Sequence, residues 1–152
     1  MHRTSLVVLV ADKDIEWSLR GLFTRYRALK IRQLAPDQDV VFHRHPHHDP
    51  GCVNGGCDFL RPFSRQFDHA LMVFDLEGCG KEGNNRTAVE EEVEGRLRAS
   101  GWGERAAAVV IDPELEAWVW SNSPHVATVL GWEDIGSMKN FLENEGFDFS
   151  LV

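Results

Sequence analysis

Acidic side chains follow three hydrophobic segments of this sequence, at the point where each segment ends. These residues are Asp12, Asp75, Glu77 and Asp112. Carboxylates brought close together repel one another and raise their own pKa values unless a cation is present. Mg²⁺ or Mn²⁺ suits such oxygen ligands and keeps coordination sites for water and phosphate. In a two-ion arrangement, the metals would stabilise both the attacking and the leaving oxygen of a phosphodiester.

The segments that carry these acids are typical of strands buried on both faces. They are the runs 5–11, 70–74 and 106–111, and their continuous hydrophobicity is the pattern of parallel strands. Helical periodicity follows them at 14–30, 86–100 and 114–120. The alternation predicts an α/β fold, with a mainly parallel sheet and helices on both faces. Ligands of such sheets bind at the carboxyl ends of the strands, where these acids lie.

A single acid at a strand end is most simply a helix cap or a turn residue. Three such strand ends, with Glu77 two residues beyond Asp75, favour a shared site. Convergence of the carboxylates requires the three strands to be neighbours, which the sequence does not establish.

The rest of the chain is predicted as shorter elements of a single domain covering residues 1–152. We expect extended segments at 31–34 and 39–42, a loop at 43–57, and helices at 58–67, 125–130 and 137–144. The apolar end at 147–152 leads us to expect either further residues beyond Val152 or a partner surface.

Charge is distributed unevenly along the 152 residues, whose formal net charge is −8. Residues 1–70 carry ten basic and eight acidic side chains, whereas residues 71–152 carry six and sixteen. This balance excludes a broad nucleic-acid surface, so any such binding must be local, metal-mediated or shared with a partner protein. The longest apolar run near the N-terminus is too short for a membrane helix and supports no signal peptide, which predicts a cytoplasmic protein with reduced cysteines.

A rival site lies in the predicted loop, where six side chains are of types that zinc accepts. They are His43, His45, His47, His48, Cys52 and Cys57. Their spacing matches no standard zinc motif, so we favour a flexible polar loop over the acidic site.

Two further groups have ordinary structural interpretations. The basic group at 20–32 is better explained as a solvated helix face than as a phosphate track; it comprises Arg20, Arg25, Arg27, Lys30 and Arg32. Four tryptophans with apolar neighbours are predicted as core or interface anchors; they are Trp102, Trp118, Trp120 and Trp132.

Three segments resemble the Toprim-like proteins of bacterial defence loci, most closely the small Toprim-like component of methylation-associated anti-phage defence systems. They are Val7-Val-Leu-Val-Ala-Asp-Lys-Asp-Ile-Glu16, Phe74-Asp-Leu-Glu-Gly78 and Ile111-Asp-Pro-Glu-Leu-Glu-Ala-Trp-Val-Trp120. The resemblance covers most of the chain and implies a Toprim-like, Rossmannoid fold.

Toprim domains use a glutamate after the first strand in acid–base chemistry and an Asp-x-Asp pair after a later strand to bind magnesium. By this resemblance, Asp12 takes the glutamate position, and Asp75 with Glu77 takes the metal pair. Both matches depart from the family pattern by one methylene. Glu16 is a supporting catalytic candidate, and the supporting metal candidates are Asp112, Glu114 and Glu116.

Three functions are therefore open. The first is a magnesium- or manganese-dependent, nuclease-like Toprim domain that acts on phosphodiesters in anti-phage defence. The second is a catalytically silent Toprim-like subunit that binds a partner protein of the same system, and the third is a zinc-binding regulatory protein. The partners expected under these hypotheses are nucleic acid, other defence-system proteins and further copies of the chain.

Overall fold

Four parallel strands form one sheet in the computed structural model, which describes residues 4–120 and 123–149. The strands are β1 (Thr4–Val10), β2 (Val40–Arg44), β3 (Phe67–Asp75) and β4 (Ala106–Ile111). Their order in the sheet is β2-β1-β3-β4, with every pair parallel. The predicted α/β fold is confirmed. The three strands whose ends carry the predicted acidic residues, β1, β3 and β4, are neighbours.

Helices connect the strands and cover the sheet. They are α1 (Lys13–Phe23), α2 (Tyr26–Leu29), α3 (His48–Leu60) and α4 (Arg86–Leu97). Because β2 and β3 lie on opposite sides of β1, right-handed crossovers put α1 on one face and α3 with α4 on the other. The chain thus reverses its winding direction between β1 and β3, and α/β sheets bind ligands in the crevice at such a reversal.

The core lies between the sheet and these helices. Val8, Leu9 and Val10 of β1 are fully buried, as expected for a central strand of a covered parallel sheet. Trp102 is also buried, in agreement with its predicted role as an anchor.

Contacts divide the chain into two compact units, Met1–Glu114 and Leu115–Val152. The second contains α5 (Glu116–Val119), α6 (Pro124–Val129) and α7 (Ile135–Asn144), close to the predicted helices. Within it, the Trp120 ring packs against Phe147 and Phe149 at centroid distances of 5.1 and 5.8 Å. Residues 150–152 of the predicted apolar end lie outside the described residues. No helix in the described part of the chain is long and apolar enough to span a membrane.

The single helix predicted at 14–30 is wrong, because the structure has two helices there. The Thr24 hydroxyl donates a hydrogen bond of 2.6 Å to the Gly21 carbonyl near the end of α1. Lys30, with a φ of 56°, then ends α2 in the left-handed region. Side-chain bonding to the backbone competes with helix continuation in this way. The predicted extended segment at 31–34 forms no strand.

The loop predicted at 43–57 is also wrong, since most of it belongs to α3. The predicted helix at 58–67 is correct only for its first residues, because α3 ends at Leu60 and a 3₁₀ turn, Arg61–Arg65, leads into β3. The glycines suggested a loop, but they allow close packing. A Cβ on Gly51 would lie 2.1 Å from Nδ1 of His45, and one on Gly56 would lie 2.5 Å from Cε of Met72.

Candidate functional site

The carboxyl edge of the sheet brings two of the predicted site residues to adjacent strand ends. Val10 of β1 is the register partner of Val73 of β3, and the Ala11 N–H donates to the Val73 carbonyl at 3.2 Å. Asp12 keeps an extended backbone, and Asp75 is the last residue of β3. Continuing the register by two residues therefore sets Asp12 beside Asp75, at the reversal point between β1 and β3.

Asp12 caps α1 with one of its carboxylate oxygens. Its Oδ1 accepts hydrogen bonds of 2.9 Å from the backbone N–H groups of Asp14 and Ile15. This is the structural role expected for a strand-end aspartate, and it fixes the side-chain rotamer. Its other oxygen, Oδ2, accepts no hydrogen bond from any residue in the described ranges, and Asp12 lines a surface cleft.

Asp49, which the sequence analysis missed, interacts with both of these aspartates. It stands in the first turn of α3, and its Oδ1 accepts a hydrogen bond of 2.7 Å from the Asp75 N–H. Burial raises the pKa of the Asp49 carboxyl, and the negative charge of Asp12 raises it further, although the bond from Asp75 acts in the opposite direction. Its position in a segment predicted to be a loop concealed it.

Asp75 is itself buried, with 9% of its surface exposed. Two backbone bonds then tie the chain after β3 to the exit of β4. The Leu76 N–H donates to the Ile111 carbonyl at 2.8 Å, and the Glu77 N–H donates to the Pro113 carbonyl at 2.9 Å. These bonds bring the backbone of Glu77 to the exit of β4.

The remaining predicted acids are spread over other places. Glu77 and Asp112 are exposed at the β3–β4 end of the edge, and Glu114 is half-buried after the cis Asp112–Pro113 bond. Glu116 belongs to the second unit, where it begins α5.

Glu16 points into an ion-pair network. It is buried, and its carboxylate accepts from Nε of Arg20 at 2.9 Å and from Nε of Arg44. Burial alone would raise the pKa of Glu16, but the hydrogen bonds from Arg44 and Arg20 outweigh it and leave the pKa lowered. The two guanidinium groups occupy this carboxylate, which supports a structural role.

The cleft beside Asp12 has a volume of about 660 Å³, and most of the residues that line it are charged or polar. It is lined by Ala11, Asp12, Lys13, Asp14, Arg44, His45, Pro46, His48 and Asp49. Nδ1 of His48 lies 3.2 Å from the Ala11 carbonyl. Because a carbonyl oxygen only accepts, this contact assigns the proton of a neutral His48 ring to Nδ1 and leaves Nε2 as an acceptor. His48 has a φ of 53°, in the left-handed region that few non-glycine residues adopt.

Two residues of the rival zinc site, His43 and Cys57, contact different parts of the molecule. The His43 ring stacks on Phe63 at 5.0 Å and meets Phe59 edge-on at 5.6 Å. Cys57 is buried, with its Sγ 3.8 Å from the Val93 carbonyl. Burial raises the pKa values of Cys52 and Cys57, which disfavours the thiolate form that binds zinc.

Within the described residues, no three His, Cys, Asp or Glu side chains are grouped so that they could hold a metal ion. The donor set at the edge still fits magnesium, which is usually held by one or two carboxylates together with water and substrate phosphates. Asp12 and Asp49 are oxygen donors of this kind, and the raised pKa of Asp49 is the electrostatic condition that a cation would relieve.

Comparison with known proteins gives no match to any protein-family profile, any curated protein or any solved structure.

Proposed function

We propose that the carboxyl edge of the sheet is a magnesium- or manganese-dependent site that acts on phosphodiesters, in a Toprim-like protein of anti-phage defence. The observation that carries this proposal is the joining of three aspartates at the winding reversal. Asp49 accepts a hydrogen bond from the Asp75 N–H, while the charge of Asp12 raises its pKa. The Toprim-like resemblance supplies the reaction class and the defence setting.

The protein groups have distinct tasks under this proposal. Asp12 and Asp49 would hold the ion, which would supply positive charge to the phosphate oxygens as negative charge develops on them. Lys13 and Arg44, which line the same cleft, would contact the phosphate from the protein side. Nε2 of His48 is oriented by the Ala11 carbonyl and would accept a hydrogen bond from the attacking water.

Metal-dependent cleavage tests this function. Supercoiled plasmid and single-stranded DNA would be incubated with the purified protein and Mg²⁺, Mn²⁺ or EDTA. We expect cleavage with either metal, none with EDTA, and a loss of at least about 100-fold in Asp12→Asn and in Asp49→Asn. The matched control is Asp58→Asn, an exposed acid on the same helix, paired with Arg61 at 3.0 Å, which should retain full activity. Equal cleavage by wild type and both site variants would reject the proposed roles.

A catalytically silent, partner-binding subunit is the second candidate. It is favoured by exposed apolar side chains on the second unit, with Val129 83% and Phe141 49% exposed. Absence of cleavage with every metal, together with tight binding to a co-purified protein of the same locus, would select this function. Stoichiometric zinc in elemental analysis of the purified protein would select the third hypothesis, a zinc-binding regulator.

A further inference from the structure

A positively charged surface lies on the helices that follow β1, on a chain that is otherwise acidic. Residues 17–36 contain five basic side chains and no acidic one, whereas the whole chain carries a net charge of −8. We call the surface of α1 and α2 formed by this segment the α1–α2 surface. Such a local excess attracts polyanions even when the net charge of the protein opposes them.

Among the described residues, only two of its five cations form ion pairs. Arg20 pairs with Glu16 and Asp37, and Arg32 lies 3.8 Å from Asp39. The other three are exposed and form no ion pair with any residue that the structure describes; they are Arg25, Arg27 and Lys30. No residue of α2 is buried, so this turn of helix presents cations without contributing to the core.

An aromatic cleft opens between α1 and the edge strand β2, with Arg20 in its lining. It has a volume of about 400 Å³, and most of its lining is apolar. Trp17 forms one side and is 65% exposed. Phe42 lines another part, and the Arg20 guanidinium carbon lies 4.5 Å from its ring centroid. An exposed tryptophan next to a held guanidinium offers two flat surfaces on which a planar ring can stack.

We propose that the α1–α2 surface binds single-stranded nucleic acid, with one base in the Trp17 cleft and the adjoining phosphates on Arg25, Arg27 and Lys30. A single strand supplies both an anionic backbone and unpaired rings, whereas the bases of a duplex are stacked on one another. An acidic peptide could pair with the cations, but its acidic side chains offer no planar ring to stack in the aromatic cleft. The inference rests on the proposed function, because it names the substrate class of that activity.

The position of the cleft suits such a substrate. Trp17 of α1 lies five residues after Asp12, the N-cap of that helix, so the two are roughly 7.5 Å apart along its axis at about 1.5 Å per residue. This is about the length of one or two nucleotides of backbone. A strand with a base against Trp17 therefore has its neighbouring phosphates within reach of the carboxyl edge.

Fluorescence anisotropy of labelled dT12 and rU12 in EDTA, at 50 and 200 mM NaCl, measures this binding without any metal. One variant combines Arg25→Ala, Arg27→Ala and Lys30→Ala, and a second is Trp17→Ala. The control combines Arg61→Ala, Arg65→Ala and Arg86→Ala, which removes the same charge from exposed positions elsewhere. All substituted side chains are exposed, and thermal melts verify folding of each variant.

We expect the first triple variant to raise the Kd at 50 mM NaCl by about 10- to 100-fold and to reduce the slope of log Kd against log salt by about two. Trp17→Ala should raise the Kd by about 5-fold or more, and the control triple by less than about 3-fold.

Equal Kd values for the two triple variants would overturn the inference, as would duplex DNA binding as tightly as dT12. Binding of poly-glutamate or of anionic phosphatidylserine vesicles in place of the oligonucleotides would overturn it in favour of a protein or membrane partner. The two proposals fail separately. If oligonucleotide binding depends on the α1–α2 surface but no metal-dependent cleavage occurs, only the proposed catalysis is rejected. If cleavage depends on Asp49 but the first triple variant binds oligonucleotides as the wild type does, only the role of the α1–α2 surface is rejected.

Discussion

The carboxylate of Asp49 accepts a hydrogen bond of 2.7 Å from the backbone N–H of Asp75. This contact fastens the first turn of α3 to the end of β3, across the winding reversal of the sheet. It also keeps the half-buried Asp49 carboxylate close to Asp12. Burial raises the pKa of Asp49, and the negative charge of Asp12 raises it further. The same residue thus links strand, helix and cleft, and it carries electrostatic repulsion that folding must overcome.

Asp49→Asn should stabilise the apo protein at neutral pH. Folding raises the pKa of this carboxyl, so as pH rises the group ionises in the unfolded chain before it ionises in the folded protein. Its contribution to stability is therefore present at low pH. That contribution is lost as pH rises from the unfolded pKa, near 3.8, to the higher folded pKa. Asparagine keeps the acceptor oxygen for the Asp75 N–H and removes the charge. We expect the free energy of unfolding to rise by about 0.5–1 kcal/mol at pH 7, and to change little at pH 3.

Urea denaturation at the two pH values measures this effect, with Asp58→Asn as the control. A loss of stability at pH 7 would show that the negative charge of Asp49 is favourable in the apo protein. The variant should also lose cleavage, which would make it more stable and less active than the wild type.

Substitutions at two glycines of α3 should have opposite effects. Gly51→Ala would bring a Cβ to 2.1 Å from Nδ1 of the buried His45 ring, whereas the same change at Gly55 would meet Nε2 of that ring at an ordinary 3.4 Å. We expect Gly51→Ala to lower the free energy of unfolding by about 1–3 kcal/mol. Gly55→Ala should raise it by about 0.5–1 kcal/mol through helix propensity. Thermal melts of the pair provide the measurement, and equal shifts would contradict the packing of α3 on His45.

These glycines also explain where prediction from sequence stopped. Continuous hydrophobic runs predicted three of the four strands and the parallel sheet, because the signal that identifies a buried strand is local. The path of 43–57 depends on a non-local fact, the closeness of α3 to His45 and Met72. Since glycine is common both in loops and at close helix contacts, its presence alone did not distinguish them. Asp49 was missed with its helix.

Part of the site could be predicted and part could not. The positions of Asp12 and Asp75 followed from the ends of hydrophobic runs, whereas the adjacency of their strands required the structure. Glu16 was grouped with them because it lies one helical turn after Asp12. Its pairing with Arg44 spans 28 residues of sequence, which local spacing does not reveal.

Glu16→Gln should destabilise the protein in a pH-dependent manner. The pKa of Glu16 is lowered, since the hydrogen bonds from Arg44 and Arg20 outweigh the opposing effect of burial. A lowered carboxyl pKa stabilises above the unfolded value, near 4.5, and the stabilisation is lost as pH falls through the folded value. We expect a loss of about 1–2 kcal/mol at pH 7 that shrinks towards zero as pH falls below the unfolded value.

Chemical denaturation at pH 7 and at low pH measures this difference, with Glu91→Gln, an exposed acid of α4, as the control. A variant that loses cleavage but keeps wild-type stability at pH 7 would instead assign Glu16 a catalytic role.

The three cysteines should resist thiol reagents in the folded protein. Cys52, Cys57 and Cys79 are all buried, and burial raises each pKa, so the reactive thiolate is scarce as well as shielded at pH 8. We expect Ellman's reagent to label native protein at least about 100-fold more slowly than protein in 6 M guanidinium, where all three should react. The matched variant is Asn54→Cys, an exposed position on α3, which should add one rapidly labelled thiol. Rapid labelling of the native wild type would contradict the buried placement of these side chains. Labelling that becomes rapid only after a zinc chelator is added would favour the zinc-binding hypothesis.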